Sequence, residues 1–187
     1  MKKIIVINRK GGCGKTTICL SLADAIEKRG DTVKVVDLDN QKTLTMAAEI
    51  TKRHVPVPIN SSRSAKYFIV DTPPYEDLSL KNILETGDII VIPCLVGYPD
   101  LFGCKSIYDY LLKKGIVKKA CILFNKVRKP HNKSYSDIRT FFRKNYPKIK
   151  IAKTELTLLR GYQDVLAKPL QGKALDEINA FLEELNV

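Results

Sequence analysis

The chain has 187 residues, 44% of them hydrophobic, with a mean hydropathy of −0.13 and a formal net charge of +12. That size and composition fit one soluble globular domain, residues 1–187, with a substantial core. No apolar run approaches the about 18 residues of a membrane span, and Met1-Lys2-Lys3 leads into a strand too short for a signal peptide, so the expected location is cytoplasmic. Five cysteines (Cys13, Cys19, Cys94, Cys104, Cys121) are an odd number without C-x-x-C spacing, which suggests neither a disulfide framework nor a zinc site. His54 and His131 are isolated and are read as structural or surface residues. The charge is local: residues 1–112 carry 15 Lys+Arg against 13 Asp+Glu, residues 113–173 carry 17 against 3, and residues 174–187 carry none against 4. A block this basic implies a polyanionic partner, nucleic acid ahead of an anionic membrane.

Met1 to Asn8 reads as a buried strand, followed by Arg9-Lys10-Gly11-Gly12-Cys13-Gly14-Lys15-Thr16-Thr17 and an apolar helical run from Ile18 that Gly30 should stop. Strand, glycine loop and helix start are the setting of a phosphate-binding loop, in which backbone N–H groups and the helix dipole face one anion. Lys15 would reach the terminal phosphates and the Thr16 hydroxyl would ligate Mg2+. The general pattern G-x-x-x-x-G-K-[ST] is not met, because its first glycine falls on Arg9, and a second lysine, Lys10, precedes the glycine pair. This K-G-G-x-G-K-T variant is the deviant Walker A box, and here the chain resembles the ParA/MinD family of ATPases, with small plasmid-partition ParA (ParF-like) proteins the nearest type. The resemblance implies that Lys10 crosses a dimer interface to the partner's nucleotide and that Gly11, Gly12, Cys13, Gly14, Lys15, Thr16 and Thr17 wrap the phosphates. Cys13 fills a variable position and is read as a spacer.

Thr32 to Asp37 reads as a second strand ending in Asp37-Leu38-Asp39-Asn40-Gln41, which resembles the family's D-x-D-x-Q box. That resemblance makes Asp39 the candidate for positioning the attacking water, whereas Asp37 can equally cap the next helix, expected over Lys42 to Ile50. Val55 to Ile59 is extended and kept by its prolines from a central strand, and 60–64 is a polar loop in a stretch shorter than in most family members. Tyr67 to Asp71, followed by Thr72-Pro73-Pro74, has the form of a Walker B strand, whose Asp71 can hold Mg2+ through a water. A helix over Asp77 to Glu85 and a strand over Asp88 to Pro93 follow.

The helix from Asp100 to Lys114 should turn Leu101, Ile107, Tyr110 and Leu111 inward, and Ala120 to Phe124 reads as a fifth strand. Its end, Asn125-Lys126-Val127-Arg128, is similar to the N-K-x-D motif of GTPases except that Arg128 stands where guanine needs a carboxylate acceptor. Guanine is disfavoured, and Asn125 becomes the candidate adenine contact, with an ordinary turn asparagine as the alternative. Ser134 to Lys144 is expected as a basic helix burying Ile138, Phe141 and Phe142, Lys148 to Ala152 as a half-exposed edge strand, and Leu156 to Ala167 and Ala174 to Leu185 as the last helices. The final helix should place Leu175, Ile178, Leu182 and Leu185 inside and Asp176, Glu177, Glu183 and Glu184 outside.

Strands alternating with helices imply an α/β P-loop NTPase domain, a mostly parallel twisted sheet covered by helices on both faces, with its site at the carboxyl ends of the strands. The resemblance implies an ATP- and Mg2+-dependent ATPase in which Lys10, Lys15 and Asp39 are catalytic. It forms a homodimer in the ATP state, binds nonspecific DNA, and is stimulated by a centromere-binding, ParB-like partner. Arg139, Arg143, Lys144 and Lys168 are the candidate DNA contacts, which would make the protein nucleoid-associated. The acidic last helix argues against membrane docking. The alternatives are a positioning ATPase for a protein cargo and a small-molecule kinase or ligase of the same fold.

Overall fold

The computed structural model describes residues 1–61, 64–74 and 78–187. Parts of the loop read at 60–64 and the first residue of the helix read from Asp77 lie outside them. Six strands, β1 (Lys2–Val6), β2 (Val33–Asp37), β3 (Tyr67–Asp71), β4 (Ile89–Cys94), β5 (Ala120–Phe124) and β6 (Lys150–Ile151), form one parallel sheet in the order β2-β3-β1-β4-β5-β6. The first five are short runs with apolar centres, because both faces of a parallel sheet are buried, and the charged residues of β1 and β2 lie mainly toward the strand ends. Alternate residues feed opposite layers. Ile4, Val35, Ile69, Val91 and Leu123 pack under α1 (Lys15–Lys28) and α7 (Gly172–Glu184), while Ile5, Val36, Val70, Ile92 and Phe124 pack under α4 (Tyr98–Lys113) and α5 (Lys133–Asn145).

Helix α1 ends as expected at Gly30, with φ 82°: the Gly30 and Asp31 amides donate to the carbonyls of Glu27 and Ile26, satisfying the last turn. Helices α2 (Thr43–Thr51) and α3 (Leu78–Thr86) lie within a residue or so of their expected places. The proline segment lies along the open edge of β2, where the Val57 amide donates to the Val35 carbonyl at 2.9 Å.

The expected helix over Leu156 to Ala167 is not what forms. Only α6 (Arg160–Asp164) is α-helical, and residues 156–158 run extended beside Val127, with a parallel bridge between Val127 and Thr157. The cause is α7. Its Glu177 accepts hydrogen bonds from the Thr157 amide and hydroxyl and from the Tyr162 hydroxyl, and its Glu184 accepts from the Thr154 amide and hydroxyl and the Lys153 amide. Two of the four acids expected on the solvent face are thus half-buried anchors. The apolar face of α7 is completed by Ala174 and Phe181. Elsewhere, Phe141 is 38% exposed instead of buried, and Tyr110 lies at the surface of its layer, donating to Glu85, while Cys104 and Tyr108 fill the core in its place. All five cysteines are free and buried.

Candidate functional site

The strand register brings the boxes together. Val6, the last residue of β1, pairs with Asp71 of β3, and Asp71 pairs in turn with Asp37 of β2, so three chain segments reach one edge of the sheet side by side. The loop 9–14 leaves β1 there and enters α1 with Gly14 as the N-terminal cap. Gly12 and Gly14 have φ of 72° and 95°, left-handed values that a side chain would strain. They let the chain curl over the helix N-terminus, beside a cleft of about 320 Å³ lined by Gly11, Gly12, Gly14, Lys15, Thr16, Thr17, Asp39 and Gln41, and also by Lys126 and Leu166.

Lys15 is buried, its ammonium donating to the Lys10 carbonyl at 3.3 Å. The Thr16 hydroxyl donates to Asp71 Oδ2 at 2.6 Å, and Asp71 Oδ1 is buried without a hydrogen-bond partner among the described residues. Burial, together with Asp37 and Asp39 nearby, pushes the Asp71 carboxyl up to about 7 despite the Thr16 bond and the Lys15 charge. The Thr16 hydroxyl and the unsatisfied Asp71 oxygen fit a hard divalent cation, whose charge would offset the repulsion from Asp37 and Asp39. Asp37 caps α2, accepting from the Thr45 amide at 3.0 Å and the Thr45 hydroxyl at 2.6 Å. Asp39 accepts from the Gln41 amide at 2.9 Å and borders the cleft, and Gln41 joins it there.

Lys10 is not directed into its own cleft. Its ammonium donates to Asp100 Oδ2 at 2.8 Å, in the first turn of α4, and Asp100 is 2% exposed. The Lys10 amide donates to buried Asn8 Oδ1, and Asn8 Nδ2 donates to the Pro93 carbonyl, which fixes the approach to the loop from beneath. Sequence reasoning missed Asn8 and Asp100. A polar residue closing an otherwise apolar strand was the signal for Asn8, whereas nothing local marked Asp100. Burial raises the Cys13 thiol above its ordinary range, so the spacer has little thiolate character.

Asn125 is 4% exposed and both ends of its amide are engaged: Nδ2 donates to the Cys13 carbonyl at 2.9 Å and Oδ1 accepts from the Lys126 amide at 2.8 Å. The four candidate DNA contacts do not share a surface. Arg139 is turned inward, donating to the Tyr135 hydroxyl and the Ala152 carbonyl and lying over the rings of Phe124 and Tyr135. Arg143 and Lys144 are exposed at the end of α5. Lys168 is on the other side of the sheet, where it pairs with Asp164 at 3.0 Å. Arg139 and Arg143 line an open groove past β6 with Lys129, Lys153 and Lys173, cations from segments 44 residues apart in the chain, together with the carboxylates of Glu155 and Glu177.

Residues 4–158, which hold the loop and the Thr16–Asp71 pair, match the model of the CobQ/CobB/MinD/ParA nucleotide binding domain. The chain belongs to that family. Within it, the chain is 31% identical over 116 residues to the maintenance of carboxysome distribution protein A of Halothiobacillus neapolitanus, an alignment covering 54% of this chain and 53% of that protein. It therefore spans about half the length of that relative. Among solved structures it is similar to apo McdA of Cyanothece (TM-score 0.79, 14% identity, all of both chains). It is also similar to a plasmid partition protein of Borrelia burgdorferi bound to AMPPNP (TM-score 0.74, 18% identity, 97% of each chain). A third neighbour is MinD in the MinC:MinD complex of Aquifex aeolicus (TM-score 0.75, 13% identity, 100% of this chain and 96% of that one). These likenesses show a CobQ/CobB/MinD/ParA fold. Among the described residues no helix is long and apolar enough to cross a membrane.

Proposed function

We propose that this family member is a DNA-partition ATPase, whose Mg-ATP-bound homodimer binds DNA without sequence preference and is released when a ParB-like partner stimulates hydrolysis. The observation that carries the reading is the division of labour between two lysines. Lys15 lies along the loop where phosphates would sit, while Lys10 projects from the same loop to Asp100, outside its own cleft, and is 38% exposed. A cation so placed is free to be exchanged from Asp100 to a second subunit's nucleotide.

In hydrolysis Thr16 and Asp71 would hold Mg2+, Asp71 through a water, and the ion would neutralise charge on the phosphates. Lys15 and the loop amides bind the phosphate oxygens, Lys10 of the second subunit adds positive charge as the transferring group develops negative charge, and Asp39 orients the attacking water. The polyanion surface is supported by the β6-edge groove, with Arg143 and Lys144 beside it. The apolar face of α7 is buried, which leaves that helix no face for membrane docking.

A protein or organelle cargo in place of a plasmid is the second reading, favoured by the identity to the carboxysome distribution protein. Binding of random-sequence duplex DNA at two salt concentrations, without nucleotide, with ADP, or with ATP and Mg2+, separates the two. Binding that needs ATP, weakens steeply with salt and is lost in Lys10→Ala supports partition. No DNA binding in any nucleotide state refutes it and leaves the protein-cargo reading.

A further inference from the structure

The turn after β5 grips the phosphate loop at the border of the cleft, which Lys126 also lines. Its two leading side chains take two successive loop carbonyls: Lys126 Nζ donates to the Gly12 carbonyl at 2.9 Å and Asn125 Nδ2 to the Cys13 carbonyl at 2.9 Å. The turn is itself held, because the Asn125 amide donates to the Cys94 carbonyl at the end of β4. Lys126 adopts φ 55°, a left-handed conformation that residues with a Cβ seldom take. Gly14 is fitted to the grip, since a Cβ there would lie 2.3 Å from Asn125 Nδ2.

A planar trans peptide points its C=O and its N–H in opposite directions. Drawing the Gly12 carbonyl toward Lys126 therefore turns the Cys13 N–H the opposite way, and drawing the Cys13 carbonyl toward Asn125 turns the Gly14 N–H away from that turn. We propose that Lys126 and Asn125 form a clamp that sets nucleotide affinity by orienting the Cys13 and Gly14 amides toward the phosphates. Lys126 is then a positioning residue that acts through the loop, and Asn125 serves the loop backbone instead of the base. The proposal rests on the assignment of residues 9–17 to phosphate binding, and deepens it.

The test compares wild type, Lys126→Met and Lys126→Arg. Lys126 is exposed, so both variants should melt within about 2 °C of wild type. Titration with fluorescent MANT-ADP and MANT-ATP should show Lys126→Met about tenfold weaker for both nucleotides, because one charge-assisted bond is lost. Lys126→Arg should recover most of that loss. Without nucleotide, hydrogen exchange at the Cys13 and Gly14 amides should quicken in Lys126→Met and not in Lys126→Arg. Unchanged affinity with unchanged exchange overturns the clamp, and a loss confined to MANT-ATP overturns it by making Lys126 a direct contact of the terminal phosphate. If wild type binds neither nucleotide, the phosphate-site assignment fails, and amide exchange alone still decides whether the clamp exists.

Discussion

The phosphate loop and the basic segment 113–173 both stand out in the sequence by their lysines, yet the fold treats them in opposite ways. In the loop, Lys10 and Lys15 come from one strand-loop-helix unit, and each is aimed by a named partner, Asp100 and the Lys10 carbonyl. In the basic segment the cations scatter. Lys118 and Lys119 precede β5 at the amino-terminal edge of the sheet, Lys168 lies beyond the opposite layer, and only a subset, with Arg139 turned inward at its wall, meets at the β6-edge groove. Charge spacing along a chain locates a site when the residues share one element, and fails when several elements contribute.

The comparison breaks most sharply at Lys15. Lys15→Ala should weaken MANT-ATP binding about 100-fold, the scale of losing a charge-assisted phosphate contact in a partly desolvated cleft. A loss below threefold in equilibrium titration would mean that the loop does not carry the anion.

The loop's helix also depends on distant segments, through Asp24. This buried carboxylate of α1 accepts from Arg53, from His54 at 2.7 Å and from the Leu170 amide at 2.6 Å. Burial acts to raise its pKa, but the bonds from His54, Arg53 and the Leu170 amide outweigh it and hold the group below its ordinary value. Asp24→Asn should cost about 2–3 kcal/mol in urea denaturation at neutral pH. A carboxyl with a depressed folded pKa contributes stability that is complete above its unfolded value, about 4, and is lost as pH falls through the folded pKa. The wild-type and variant stabilities should therefore converge in acid, and a constant gap down to low pH would contradict the assignment.

Asp100→Asn tests whether Lys10 is held in reserve. Removing the charge that retains it should move ATP-dependent self-association to about fivefold lower protein concentration, equivalent to about 1 kcal/mol for a half-exposed pair. Sedimentation velocity across a concentration series reads this directly, and weaker association would make Asp100 an interface support instead. The smallest effects belong to the groove. Arg143→Ala or Lys173→Ala should each lower the slope of log affinity for DNA against log salt by about 0.9, whereas Lys168→Ala should leave it unchanged. Equal effects at all three positions would restore a diffuse basic surface and dissolve the contrast with the loop.

Much of the fold was legible because burial on both faces makes parallel strands uniformly apolar, and glycine and proline mark where they stop. Ala120 to Phe124 matches its strand to the residue, and the ends of β2 and β3 fall on Asp37 and Asp71 as read. Segment 156–159 misled because Leu156, Leu158 and Leu159 suit a helix. The Leu156, Thr157 and Leu158 amides instead donate to the Phe124 carbonyl, the Glu177 carboxylate and the Val127 carbonyl, partners about 20 to 30 residues away that local propensity cannot register.

The sequence by itself determined the sheet, the left-handed glycines of the loop, the Lys15 and Thr16 placement on the first turn of α1, and the carboxylates at the ends of β2 and β3. Those follow from short-range chemistry, in which a few neighbouring residues fix the backbone and the strand ends share one edge. Only the tertiary structure decided that Asp100 holds Lys10, that Asn125 and Lys126 hold the loop carbonyls, and that Lys168 stands apart from the groove that Arg139 and Arg143 line. Each of these depends on which distant donor meets which acceptor once the layers pack, and a hydrogen bond of 3 Å leaves no trace in the spacing of residues along the chain.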